Sequence, residues 1–180
     1  LRVEKQNTFE EKVIEWGSIT LNNPLSKTEF IKLAEEFPDL IMEREKNGKT
    51  IIMSPLKPGS GNREAIIITY INIWCLKNKK GKVFSSSTGI DLPDGSTKSP
   101  DCCWISSARL KDLKYDGEEG FLTIVPDFVV ELKSGTDSIT ALKKKMTDSW
   151  MKNGVQLAWL IDPYKEKVYI YRKGKKTIIQ

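Results

Sequence analysis

Apolar positions along the chain recur with two spacings, one helical and one alternating, and the switches between them outline the elements. Ser26 followed by Glu29 is a capping-box signature ahead of Phe30, Leu33, Ala34 and Phe37, which predicts a helix ending at Pro38. Leu40–Glu45 and Thr50–Ser54 flank Asn47-Gly48, the pattern of a β-hairpin closed by a type I′ turn. A Pro/Gly/Ser loop from Pro55 to Gly61 leads into a second helix over about 62–77. There Ile66, Ile67, Ile68, Tyr70, Ile71, Ile73 and Trp74 are apolar nearly all round, so the helix is expected to be largely buried. Short strands are predicted at Lys82–Ser87 and Thr97–Ile105, joined through the turn Pro93-Asp94-Gly95. Ser106–Leu113 reads as a short helix or turn and Asp116–Gly120 as a loop.

Asp127–Lys133 gives the strongest strand signal. A helix over Ser138–Asn153 follows, with Ile139, Leu142, Met146 and Trp150 as its apolar stripe and Gly154 as its stop. Val155–Ile161 and Lys167–Arg172 are further strands. Residues 1–24 are charged and irregular, and are expected to form an N-terminal arm or an edge strand around Trp16–Leu21, leaving one domain over 25–180. Strands interleaved with helices around an apolar central pair indicate an α/β or mixed α+β sheet flanked by helices.

Composition narrows the chemistry. With 39% hydrophobic and 29% charged residues, the chain has the make-up of a soluble globular domain. No apolar run approaches the roughly 18 residues needed to span a bilayer, so no membrane partner is expected. Neither a signal peptide nor an initiator methionine is visible at Leu1. A net charge of +5 and a pI near 9.0 are compatible with a polyanionic partner without requiring one. The three cysteines, Cys75, Cys102 and Cys103, form neither a disulfide framework nor a zinc motif, and read as reduced thiols in a cytoplasmic protein. Cys102 and Cys103 lie in an apolar stretch and read as small core residues. Histidine is absent, which removes Ser-His-Asp and Cys-His catalysis and His-based metal sites. Acid/base or metal chemistry must come from carboxylates and lysines.

Asp127–Lys133 carries such groups inside a strand. Alternation puts Asp127, Val129, Glu131 and Lys133 on one face, with Phe128, Val130 and Leu132 on the other as core. Glu131 and Lys133 then stand roughly 6–7 Å apart. Charge in a sheet is costly unless it is paired, hydrogen-bonded or bound to a cation. A Glu131–Lys133 ion pair at a wet sheet edge is one reading. The other begins at Ser99-Pro100-Asp101, where an acid enters a second apolar strand. If the strands are neighbours, Asp101 and Glu131 converge, and their oxygens with the strand carbonyl of Leu132 and waters suit Mg²⁺ or Mn²⁺. Such a set can support phosphodiester hydrolysis, the metal stabilising phosphate charge and activating water while a lysine orients or deprotonates that water.

The series Pro100-Asp101…Glu131-Leu132-Lys133 matches the signature of the PD-(D/E)XK nuclease superfamily. With Gly61-Asn62-Arg63, Ser86–Ile90, Pro126–Leu132, Asp137-Ser138, Lys145-Met146 and Trp159–Pro163, the chain resembles the Uma family of restriction-endonuclease-like proteins from about Ser26 to Arg172. The resemblance implies a restriction-endonuclease-like fold, with a mixed central sheet flanked by helices. It implies a divalent-metal nuclease site with Asp101 and Glu131 as ligands, Lys133 beside the nucleophile, and nucleic acid, foremost DNA, as partner. Many members lack a lysine at the E-x-K position and use a lysine or arginine of the next helix, here Lys145. Helical geometry puts Lys145 at the border of the Ile139–Trp150 stripe, so Lys133 is the favoured lysine and Lys145 a phosphate contact or substitute base.

Glu64 on the second helix is either a further acid of the site or a solvated first-turn residue. Asp127 either assists the site or caps its strand. Lys143-Lys144-Lys145 reads first as a solvated helix face. A catalytically inactive nucleic-acid-binding module on the same fold is the competing function, because fold alone does not guarantee activity. A one-site domain that cuts both strands would work as a two-fold homodimer.

Overall fold

The computed structural model describes residues 18–112 and 120–180. Most of the expected N-terminal arm and the Asp116–Gly120 loop apart from Gly120 lie outside the described residues.

Ser26 caps helix α1 (Lys27–Glu36) with the reciprocal Ser26/Glu29 bonds the sequence predicts. The hairpin β2 (Ile41–Arg44) and β3 (Thr50–Met53) pairs with Met42 opposite Ile52. Its turn is not type I′. Only Gly48 has positive φ (+88°); Gly48 N–H donates to Glu45 O and Glu45 N–H to Lys49 O, the geometry of a type I turn closed by a glycine bulge. β1 (Ile19–Thr20) adds to β3 as an edge strand, and β5 (Ile90–Asp91) and β6 (Thr97–Lys98) extend the other side. The result is an antiparallel five-stranded sheet in the order β1-β3-β2-β6-β5.

The second sheet has six strands in the order β11-β10-β9-β8-β7-β4. They are β4 (Lys82–Ser85), β7 (Cys102–Ile105), β8 (Phe128–Leu132), β9 (Leu157–Asp162), β10 (Lys167–Arg172) and β11 (Ile178–Ile179). β8 and β9 run parallel and the other neighbours antiparallel, so the sheet is mixed. Thr97–Ile105 is therefore not one strand. It breaks over Ser99–Asp101, where Pro100 lacks a ladder donor, and passes from one sheet to the other.

Both faces of the six-stranded sheet are covered. Cys103, Ile105, Val129, Ala158, Leu160 and Tyr169 pack against Met146 and Trp150 in the main core. Those two residues lie in a π-helical turn, Met146–Met151, that continues α4 (Ile139–Lys145). Glu131 thus points into the main core, and the face expected to be core buries Val130 fully but Phe128 and Leu132 only partly. α2 (Pro58–Asn78) covers that second face. It starts at Pro58, earlier than expected, because proline needs no N–H partner at a helix start. The expectation that α2 is largely buried fails. Tyr70 is 70% exposed and Leu76 68%, while Ile66, Ile73 and Trp74 are nearly half uncovered. With one sheet beneath it and nothing above among the described residues, an all-round apolar helix buries one side. A short helix, α3 (Ser107–Asp112), follows β7.

Candidate active site

Acidic and basic groups gather where β7 begins and β8 ends. The β7–β8 register pairs Cys102 with Val130, so its continuation sets Asp101 opposite Glu131. Asp101 Oδ2 accepts the N–H of Leu132 at 2.5 Å, which ties the acid to the residue after Glu131. The Asp101 carboxyl is pushed up to about 8, chiefly by burial and next by the Glu131 charge, with a smaller push from Glu64. Asp101, at the start of β7, therefore feels both Glu131 of β8 and Glu64 of α2.

Glu131 is 4% exposed. Its Oε1 accepts from Lys145 Nζ at 2.8 Å and from Trp150 Nε1 at 2.8 Å. Burial raises its pKa, Lys145 opposes the rise, and Glu43 adds to it. The two donors reach one oxygen because of the π turn. Residues five apart in an α-helix are rotated by about 140°. The i→i+5 bonding of a π turn brings them nearly into line, so Lys145 and Trp150 face β8 together. Lys145 consequently points into the site, where helical spacing had put it at a border.

The same ammonium donates to Glu43 Oε1 at 2.8 Å, bridging the two sheets. Glu43 also accepts Ser99 N–H at 3.1 Å and pairs with the buried Lys98 at 3.3 Å, and Lys98 pairs with Glu45 at 2.5 Å. Burial would raise the Glu43 carboxyl, but the Lys145 and Lys98 charges hold it below its ordinary range. Burial would lower the Lys145 ammonium, and Glu131 with Glu43 raise it instead. Glu43 and Lys98 were not singled out from the sequence, and Trp150 was read only as part of an apolar stripe. Charges within strand-like stretches, Ile41–Arg44 and Thr97–Lys98, were the available signal, the same one that marked Glu131.

Lys133 lies just past β8. Its Nζ donates to Ser134 O at 2.9 Å and sits 5.0 Å from the Tyr164 ring. Among the described residues no ion pair joins it to Glu131 or Asp101, so the Glu131–Lys133 pairing considered from the sequence is replaced by Glu131–Lys145. Asp127 accepts Ser106 N–H at 2.8 Å and pairs with Arg109 at 2.9 Å at the opposite end of β8, a local structural role. Cys102 and Cys103 are fully buried, as expected of core residues.

Glu64 is 9% exposed. Its Oε1 accepts from Ser86 Oγ at 2.6 Å, and its buried Oε2 has no hydrogen-bond partner among the described residues. Among the described residues no three carboxylate or thiol side chains are close enough to cage an ion by themselves. Mg²⁺ does not require a cage, since it keeps several waters and takes one or two carboxylates. Hard oxygens, mutual repulsion of buried acids and an orphaned carboxylate oxygen fit a hydrated divalent cation with Asp101, Glu131 and the Leu132 carbonyl as its protein side. A polar groove of about 790 Å³ between the hairpin and α4 reaches this cluster through Glu43 and Lys145, with Lys46, Lys49, Lys144 and Lys152 along its walls.

Comparison with known proteins agrees with the fold. The crystal structure of a "putative nuclease belonging to DUF820" from Anabaena variabilis matches with a TM-score of 0.71 and 25% identity, covering 87% of this chain and 84% of that one. No curated protein matches significantly. The family described as "Uma2: Putative restriction endonuclease" matches residues 28–180, and the chain belongs to that family.

Proposed function

We propose that the protein is a divalent-metal-dependent endonuclease that hydrolyses phosphodiester bonds of DNA, with Mg²⁺ or Mn²⁺ held by Asp101, Glu131 and the Leu132 carbonyl. The observation that carries this reading is the register placing Asp101 opposite Glu131, tied by the Asp101–Leu132 hydrogen bond, in a chain of a restriction-endonuclease family. A bound divalent ion would supply Lewis acidity toward a phosphate oxygen and a more acidic water. The remaining work falls to the chain's own groups. Leu132 N–H fixes the Asp101 carboxylate, and Trp150 N–H holds Glu131. Lys145 is the working lysine: its ammonium already touches Glu131 and faces the groove, where it can meet a phosphate oxygen as that oxygen gains charge. Lys133, resting against Tyr164 at the same strand end, is the second amine and orients water from the rim.

Plasmid and linear DNA incubated with purified protein and Mg²⁺, Mn²⁺ or chelator test the reading. Metal-dependent cleavage lost in Asp101→Ala and Glu131→Ala, and reduced more by Lys145→Ala than by Lys133→Ala, is the expected outcome. Absence of cleavage on every substrate, or an Asp101→Ala protein as active as wild type, refutes it. The Lys145–Glu131 contact favours a second reading, in which the ammonium permanently occupies the cation's place and the domain only binds nucleic acid. That reading predicts salt-sensitive DNA binding that survives Glu131→Ala and no cleavage by wild type.

A further inference from the structure

From Ala65 to Leu76, α2 carries no charged residue, although 29% of the whole chain is charged. Its solvent side runs Asn62, Ala65, Ile66, Thr69, Tyr70, Ile73, Leu76 and Lys77, the spacing of one helical face. Five side chains of this segment, Ile66, Tyr70, Ile73, Trp74 and Leu76, are 43–70% exposed. Together they leave on the order of 500 Å² of mostly apolar surface, at the upper end of what a monomer ordinarily shows. Beside them runs an apolar groove of about 600 Å³, lined among others by Tyr70, Trp74, Trp104, Phe128 and Trp159. Trp74 packs edge-on to Trp104, with ring centroids 5.2 Å apart, so this wall is firmly seated.

We propose that this face is the interface with a second copy of the chain, the two α2 helices crossing antiparallel about a two-fold axis near Thr69 and Tyr70. The stripe itself argues for a second copy. A two-fold contact needs a surface complementary to itself. Reversed about that centre, Ile66 meets Ile73, Ala65 meets Trp74, and Thr69 meets Tyr70, so small residues face large ones and apolar face apolar. At the ends Lys77 meets Asn62 and Arg63 meets Leu76, so no like charges are opposed. Centred on Tyr70 itself, the two-fold would set Lys77 against Arg63, and centred on Thr69 it would turn Tyr70 about 100° from the contact line. The area is that of a small interface: the stripe offers on the order of 500 Å² on each copy, about 1,000 Å² for the pair, the lower bound for a specific contact. The polar rim consists of Asn62, Asn72 and Asn78. This assignment is independent of the nuclease reading and does not use its site.

Sedimentation velocity over a micromolar concentration series, with wild type, Tyr70→Glu and Ile73→Glu, tests it. Wild type is expected to be a dimer. The two-fold axis places two new carboxylates in one interface, so dissociation constants should rise by at least about 100-fold. Tyr70 projects into solvent in the single chain, so its substitution leaves the fold intact, which far-UV dichroism and thermal unfolding check. Thr69→Cys adds an exposed thiol beside three buried native ones, and a short bis-maleimide should couple it to the same residue of the second copy. The same reagent should leave Lys111→Cys, on α3, uncoupled. A monomer at every concentration overturns the proposal and leaves the face to a different partner. A dimer unaffected by Tyr70→Glu, with no Thr69→Cys coupling, overturns it too, because the contact then lies elsewhere.

Discussion

Replacing Lys145 by methionine isolates the contact that joins the two sheets. The variant keeps most of the side-chain volume and removes the ammonium shared by Glu131 and Glu43. The two acids lose unequally. Glu43 keeps Ser99 N–H and the Lys98 ammonium, whereas Glu131, 4% exposed, keeps only the Trp150 N–H among its named partners. Breaking a buried pair from one side costs about 3–5 kcal/mol. Since only one of the two acids is stranded, the lower figure applies, about 3 kcal/mol, or a fall of roughly 6–12 °C in Tm for a chain of this length. Urea and thermal unfolding in chelator measure the loss. Adding Glu131→Gln should return most of it, because the uncompensated charge disappears with the acid. Mn²⁺ should then raise the Tm of Lys145→Met more than that of wild type, as the cation takes up charge the ammonium no longer balances. A Lys145→Met protein within about 0.5 kcal/mol of wild type, or a double variant no more stable than the single one, refutes the idea that this ammonium balances the cluster.

Other consequences are open to measurement. Glu43→Gln should flatten the acid limb of the stability curve. The Glu43 carboxyl is held below its usual value near 4.5, so the folded state releases its proton more readily than the unfolded chain; the stabilisation is present above that value and is lost as pH falls through the folded one. Urea midpoints of both proteins from pH 3 to pH 7 should converge at the acid end, and curves that stay parallel count against the pairing. Gly48→Ala should cost about 1–3 kcal/mol, since alanine at φ +88° is strained and its Cβ would lie 2.7 Å from Leu25 O; unchanged thermal unfolding would contradict the turn geometry. Native protein should resist alkylation by iodoacetamide, because Cys75, Cys102 and Cys103 are all buried and burial, aided by Glu64 and Asp101, pushes the Cys102 thiol up to about 12. Rapid labelling in mass spectra before unfolding is the opposing result.

Much of the fold was legible because its signals are local. The Ser26/Glu29 box, the strand around Glu131 and the alternating Lys167–Arg172 segment each declare themselves within a few residues. Failures arose where a second segment decides. Thr97–Ile105 looks like one strand, and only the sheet-to-sheet passage at Pro100 divides it. α2 looks like a buried helix because periodicity reports where apolar residues lie and cannot report whether both sides find a neighbour.

The site divides in the same way. Glu131 inside its strand and Asp101 at the entry to β7 could be named from the sequence, because an acid in or against an apolar strand is costly and so informative on its own. The cation that answers Glu131 was harder to name. Lys133 is nearer in sequence, and strand alternation points it to the same face, yet β8 ends at Leu132 and the Lys133 side chain turns to Ser134 O and Tyr164. Lys145 prevails because the helix departs from 3.6-residue winding immediately after it, a change that no apolar spacing reveals. The π turn lengthens the helix register by a fraction of a residue, enough to swing Trp150 and Lys145 onto one carboxylate oxygen and to bring Glu43 of the other sheet within reach of the same ammonium. Wound as an α-helix, the same five-residue spacing would turn the two donors about 140° apart. The physical content of the site therefore resides as much in that irregular turn as in the acids it serves.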